Sequence, residues 1–158
     1  MITAPITPLT SAEQRVAEYL VHGLKPRAIA DETQRSPNTI TDCIRTVRRK
    51  IHCPPRSPLH ILVHYLLSTG TVTPPPATSP PPDLTPRRRA LLEAVTEHTN
   101  RADIARAADL APHEVPAEVD TILAETGAAD ITELVVLAHT WHLLQAGQRH
   151  GELTGADR

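Results

Sequence analysis

The sequence predicts an all-α chain of two tandem four-helix units joined by a proline-rich linker. No segment sustains the apolar–polar alternation of a strand, whereas apolar residues recur at spacings of three and four behind helix-start signals. Residues 69–83 read TGTVTPPPATSPPPD, with six prolines and Val72 as the only large apolar residue, a composition that favours extended polyproline II geometry over packing. On either side of this stretch the two halves align without a gap at an offset of 75 residues. Leu9-Thr10 falls on Leu84-Thr85, Ile29-Ala30 on Ile104-Ala105, Val47 on Ile122, and Leu59 and Leu62 on Leu134 and Leu137. A constant offset that keeps apolar positions in phase marks an internal duplication.

The elements follow in order. Thr10 with Glu13 three residues on is a capping box, and Gly23 stands where a left-handed C-cap is wanted, so a first helix runs from about Ser11 to His22 and buries Val16, Tyr19 and Leu20. Pro26 suits a first helical position and opens a brief second helix, to about Gln34, that buries Ile29 and Ala30. Ser36-Pro37 starts the third, in which Ile40, Ile44, Val47 and Ile51 recur at helical spacing. After a turn at Cys53-Pro54-Pro55, Ser57-Pro58 starts the fourth, with Leu59, Leu62, Val63, Leu66 and Leu67 as its apolar stripe and His60 and His64 in the polar stripe opposite. The second unit keeps the plan loosely. Thr85-Pro86 starts its first helix and Asn100 caps its second, but His98 replaces the C-cap glycine and Ala111 the capping serine. Pro116 falls inside its third helix, where it breaks a hydrogen bond unless the helix begins there. The domain plan is therefore 1–68, a linker at 69–83, a divergent second domain at 84–146, and a disordered tail at 147–158.

Composition bounds the function. The 158 residues carry sixteen Lys and Arg against eighteen Asp and Glu, a net charge of -2, with sixteen prolines and no phenylalanine. No apolar run approaches the roughly 18 residues of a bilayer span, and MITAPITPLT has neither a basic nor an apolar leader region, so a cytoplasmic protein without a membrane partner is expected. Cys43 and Cys53 do not make a disulfide framework. His60 and His64, with His52 and Cys53 upstream, invite a zinc reading. No paired Cys motif completes a tetrahedral set, so no metal site and no cofactor are expected. With no Gly-rich phosphate loop, GxSxG or HExxH, no catalytic residue is expected either, and the chain reads as a non-enzyme.

The spaced set Leu9-Thr10, Glu13, Val16, Leu20, Gly23, Ile29-Ala30, Ser36, Thr39-Ile40, Val47, Lys50-Ile51 and Arg56 resembles the LuxR/FixJ-type (GerE) helix-turn-helix domain of many bacterial regulators, without a gap from Leu9 to about Leu66. Departures are Lys25-Pro26 for a polar cap pair, Thr33 and Arg35 at usually apolar positions, and His52-Cys53 for a Gly-Val turn. The resemblance implies that the third helix is the recognition helix and the fourth a dimerisation surface.

Charge separates the two halves. Residues 9–68 hold nine Lys and Arg against five Asp and Glu, net +4, and residues 84–144 hold five against ten, net -5. The third helix carries Arg45, Arg48, Arg49 and Lys50, whereas its counterpart carries Glu114, Glu118, Asp120 and Glu125 and no cation. Phosphate binding displaces counterions with protein cations, which assigns duplex DNA to the first half alone. Asn38, Thr41, Asp42 and Arg45, opposite the apolar stripe, are the candidates for base contacts. Lys25, Arg27, Thr39, Arg48, Arg49 and Lys50 are those for phosphate, with capping an alternative for Thr39. The alternative for the basic run is a solvated helix face. Arg87, Arg88 and Arg89 oppose a helix dipole, and they either flank DNA or form a solvated turn.

Leu134, Leu137, Trp141 and Leu144 are more apolar surface than one small core needs and are assigned to an interface. Two pairings are open: helix four on helix four within a chain, as a pseudo-dimer, or second halves between chains, as a homodimer on a palindrome, with the latter slightly favoured. The expected function is a sequence-specific transcriptional regulator, nucleoid-associated when bound. The competing reading is an adaptor whose acidic half binds a basic protein partner.

Overall fold

The computed structural model describes residues 7–144, in which eight α-helices and one 3-10 turn follow one another with no strand. The expected tail at 147–158 lies outside the described residues. The first half holds α1 (Ser11–Val21), α2 (Pro26–Thr33), α3 (Pro37–Lys50) and α4 (Leu59–Ser68). The second holds α5 (Pro86–Glu97), α6 (Arg101–Ala108), a 3-10 turn at Pro112–Glu114, α7 (Val115–Thr126) and α8 (Ile131–Thr140).

The start and stop signals act as local chemistry dictates. Thr10 Oγ1 accepts the Glu13 amide at 3.2 Å and Glu13 Oε1 accepts the Thr10 amide at 3.0 Å, so two orphan donors of α1 are satisfied reciprocally. At the other end Gly23 takes φ +96°, which lets the Leu24 amide reach the Tyr19 carbonyl and the Gly23 amide the Leu20 carbonyl. Ser36 Oγ accepts the Thr39 amide at 3.1 Å, with Pro37 in the first turn of α3. Thr85, Asn100 and Asp130 cap α5, α6 and α8 in the same manner. Ser57 does not cap α4. Its hydroxyl donates to the Pro54 carbonyl at 2.8 Å and lies 3.2 Å from Cys53 Sγ, and Pro58 precedes the helix without a side-chain cap.

The 75-residue offset reappears in the backbone. α2 and α6 have matching bounds, each followed by a left-handed residue, Gln34 at φ 57° and Asp109 at φ 60°. His52 at φ 62° ends α3, where Gly127 at φ 78° ends α7. The halves diverge at two places. Residues that would form the first turn of α7 make the 3-10 turn instead, so Pro116 falls in the opening turn of a helix, where it costs no hydrogen bond. α8 begins three residues ahead of the position matching the start of α4 and stops at Thr140, with Trp141 as its cap.

Packing departs further from a simple repeat. In the first half α3 packs on α1 and α2, whereas in the second α5 lies chiefly along α6 and α7 packs on α8. α4 touches α1 of its own half and both α8 and α5 of the other. Sandwiched in this way, it buries Ile61, Leu62, Val63, Leu66 and Leu67, and one continuous apolar cluster runs through both halves. Its polar stripe is not solvated: His60 Nε2 lies 3.1 Å from the Val95 carbonyl, and His64 Nδ1 lies 3.0 Å from His139 Nε2. The 69–85 connection is non-helical and hydrogen-bonded to both halves. Gln14 donates to the Thr71 carbonyl, Thr140 to that of Pro75 and the Trp141 indole to that of Ser79, each at 2.9 Å, while Val72 is buried.

Candidate nucleic-acid interface

α3 is amphipathic in the required sense. Ile40, Ile44 and Val47 anchor it to α1 and α2, and the opposite face is left to solvent. Asn38, Thr39, Thr41, Asp42 and Arg45 are all exposed on that face or at its N-terminal edge. Arg45 Nη1 donates to Asp42 Oδ1 at 2.7 Å one turn away, with both side chains about two-thirds exposed (67% and 70%). The pair occupies one N–H of an exposed guanidinium that carries five donors. Thr39 Oγ1 shares a hydrogen bond with Ser36 Oγ at 2.9 Å, which draws it into the cap.

The cations divide into two sets. Arg49 and Arg27 are exposed, as is Lys25, whose Nζ donates to Asp130 Oδ2 at 2.8 Å. That hydrogen bond is the main reason the Asp130 carboxyl lies below its ordinary range. Arg48 and Lys50 face inward. Lys50 Nζ donates to Glu13 Oε1 at 2.6 Å, with only 19% and 14% of the two side chains exposed, and the hydrogen bond holds the Glu13 carboxyl low. Arg48 Nη2 donates to the Ser57 carbonyl at 2.6 Å, and its Nε is buried without a hydrogen-bond partner. These two residues tie α3 to the α1 cap and to the turn before α4, so their charge is spent on the fold rather than presented to a ligand. Arg35 takes their place in the exposed set. It lies in the α2–α3 turn, close enough to Cys43 to favour its thiolate, although burial dominates and pushes that thiol up. The sequence offered no helical spacing for Arg35, only its nearness to Ser36.

The surface of the second half is different. Arg88 Nη1 donates to Glu125 Oε2 at 2.7 Å and its Nε to Glu118 Oε1 at 3.4 Å, so the central arginine of the triplet neutralises two acids of α7. Arg87 and Arg89 are exposed, and so are Glu114 and Asp120. Leu134 and Leu144 are buried and Leu137 and Trp141 half-buried, all within this one chain. The apolar surplus of α8 is thus turned onto α4.

At the α4–α8 contact, His64 and His139 occupy equivalent positions of the repeat, 75 residues apart. A ring-to-ring bond needs one N–H and one lone pair, so the two imidazoles cannot both be charged. Burial, and then the charge of His64, bring His139 down to about 4, and burial likewise lowers His60. Beside this contact lies an open groove of about 570 Å³, lined by Leu20, Leu24, Leu59, Val136 and Leu137 among others, with Lys25 and Asp130 at its wall. Among the described residues no group of three or more His, Cys, Asp or Glu comes together, and no helix is long and apolar enough to cross a membrane. Compared with known proteins, the chain matches no family model, no curated protein and no solved structure.

Proposed function

We propose that this chain is a sequence-specific DNA-binding transcriptional regulator, of the LuxR type that residues 9–66 resemble, in which α3 reads the major groove. The observation that carries the reading is the outward face of α3. Asn38, Thr41, Asp42 and Arg45 stand exposed along a helix anchored by Ile40, Ile44 and Val47, with exposed cations at Arg27, Arg35 and Arg49 around it. Polar residues at the start of a helix reach base edges, and flanking cations take phosphates. Arg45 is the residue for a bidentate guanine contact, and Asp42 orients it. α2 and α3, joined by the Gln34–Ser36 turn, form the helix-turn-helix, and the second half serves as a covering and docking module. A cytoplasmic, nucleoid-associated location belongs to the same reading.

Fragment selection from genomic DNA by the full chain tests it, repeated with Arg45→Ala and Arg49→Ala. Losing the guanine contact costs about 1–3 kcal/mol, a drop of roughly 5- to 150-fold confined to the selected motif. Arg49→Ala weakens all duplexes alike and shortens the log-salt slope by about 0.9. Weak binding that ignores both changes overturns the proposal. It would favour the adaptor reading, for which exposed Glu114 in the 3-10 turn and Asp120 on α7 speak.

A further inference from the structure

We infer that the chain engages DNA as a single copy on one short asymmetric site, not as two copies on an inverted repeat. The inference rests on the DNA-binding reading above and adds the stoichiometry and symmetry of the site. Two observations carry it.

The first is that, among the described residues, one helix, α3, is fit to face phosphate. The counterpart of α3 is a 3-10 turn followed by α7, with Glu114 and Asp120 exposed, Pro116 in its opening turn, and no Lys or Arg of its own. Arg88, which reaches α7 from α5, is committed to Glu118 and Glu125. Such a surface adds repulsion to a phosphate backbone rather than counterion release. A symmetric site therefore requires a second chain.

The second observation is that the described residues present no exposed large apolar side chain to hold one. Stable pairing buries on the order of 800 Å² per partner around a desolvated apolar centre. Among the described residues no Val, Ile, Leu, Tyr or Trp is exposed. The helix with an apolar surplus, α8, has Leu134, Val135, Val136 and Ala138 buried, with α4 of the same chain packed against it. The Lys25–Asp130 ion pair, the His64–His139 bond and the 69–85 connection bind the same two halves together. A tethered partner acts at an effective concentration on the order of millimolar, which a free second copy does not match. The groove beside α8 is apolar but concave, and among the described residues of a second copy no large apolar side chain stands exposed to enter it.

The test is selection from a random-sequence duplex library by the full chain and by Arg45→Ala, followed by sedimentation of the wild type with the enriched duplex. One asymmetric block and a 1:1 complex are expected. A duplex carrying two inverted blocks is expected to fill with a Hill coefficient of one and unchanged affinity per site. An enriched inverted repeat, or a cooperative 2:1 complex, overturns this inference and leaves the DNA-binding reading standing. Enrichment by the wild type no greater than by Arg45→Ala overturns that reading, and the inference falls with it.

Discussion

Arg48, Arg49 and Lys50 are adjacent in sequence and differ in what their charge does. Only Arg49 is exposed; Lys50 is held by Glu13, and Arg48 by the Ser57 carbonyl. Removing one partner of a mostly buried ion pair leaves the other desolvated and alone, at a cost of about 2–3 kcal/mol here. Lys50→Ala is therefore expected to lower the urea-unfolding free energy by that amount, and Arg49→Ala to change it by less than about 0.5 kcal/mol. The reverse ranking in urea melts would place the functional cation at Lys50. His139 gives a pH dependence. Its folded pKa of about 4 lies below the ordinary 6.5, so between those values the unfolded chain binds more protons and stability falls with acidification. The contribution is at most on the order of 3 kcal/mol, fully present above pH 6.5 and lost as the pH falls to about 4. Urea melts at pH 7 and pH 5 check it, since His139→Gln is expected to flatten the difference. None of these pairings was readable from the sequence, because the partners of Lys50 and His139 lie 37 and 75 residues away.

At the scale of elements, the sequence carried most of the information. The cap at Thr10, the starts at Pro26 and Ser36, and the stop at Gly23 are contacts within a few residues, and all four form. Gly23 and Gly127 sit at positive φ with nothing within 4 Å of an added Cβ, so Gly→Ala at either site acts through the backbone alone. Each is expected to lower the melting free energy by about 1 kcal/mol. No change in thermal denaturation would mean that the helix ends differently. The less legible elements are those shaped by packing. Ser57-Pro58 marked the start of α4, but the Ser57 hydroxyl serves the Pro54 turn instead of the helix end, and the polar stripe of His60 and His64 is covered by α5 and α8. A helix wheel shows which faces of α4 are apolar, not that a second unit arrives on the polar one.

For the whole molecule, one apolar cluster spans both halves, and the proline-rich connection is pinned at Thr71, Pro75 and Ser79. The chain is accordingly expected to unfold in one cooperative transition, with calorimetric and van't Hoff enthalpies equal. Two resolved transitions would mean that the α4–α8 contact is weaker than its burial implies. Val63→Asp, at the centre of α4, is expected to abolish that cooperativity or the fold. The all-helical class, the 75-residue repeat and the opposite charge of the halves were determined by the sequence itself, since periodicity, caps and composition are local or additive properties. The tertiary structure decided which cations remain on the surface, that α8 spends its apolar face on α4 of its own chain, and that His64 meets His139. Those outcomes depend on distant segments competing for the same surface, and no local pattern encodes the winner.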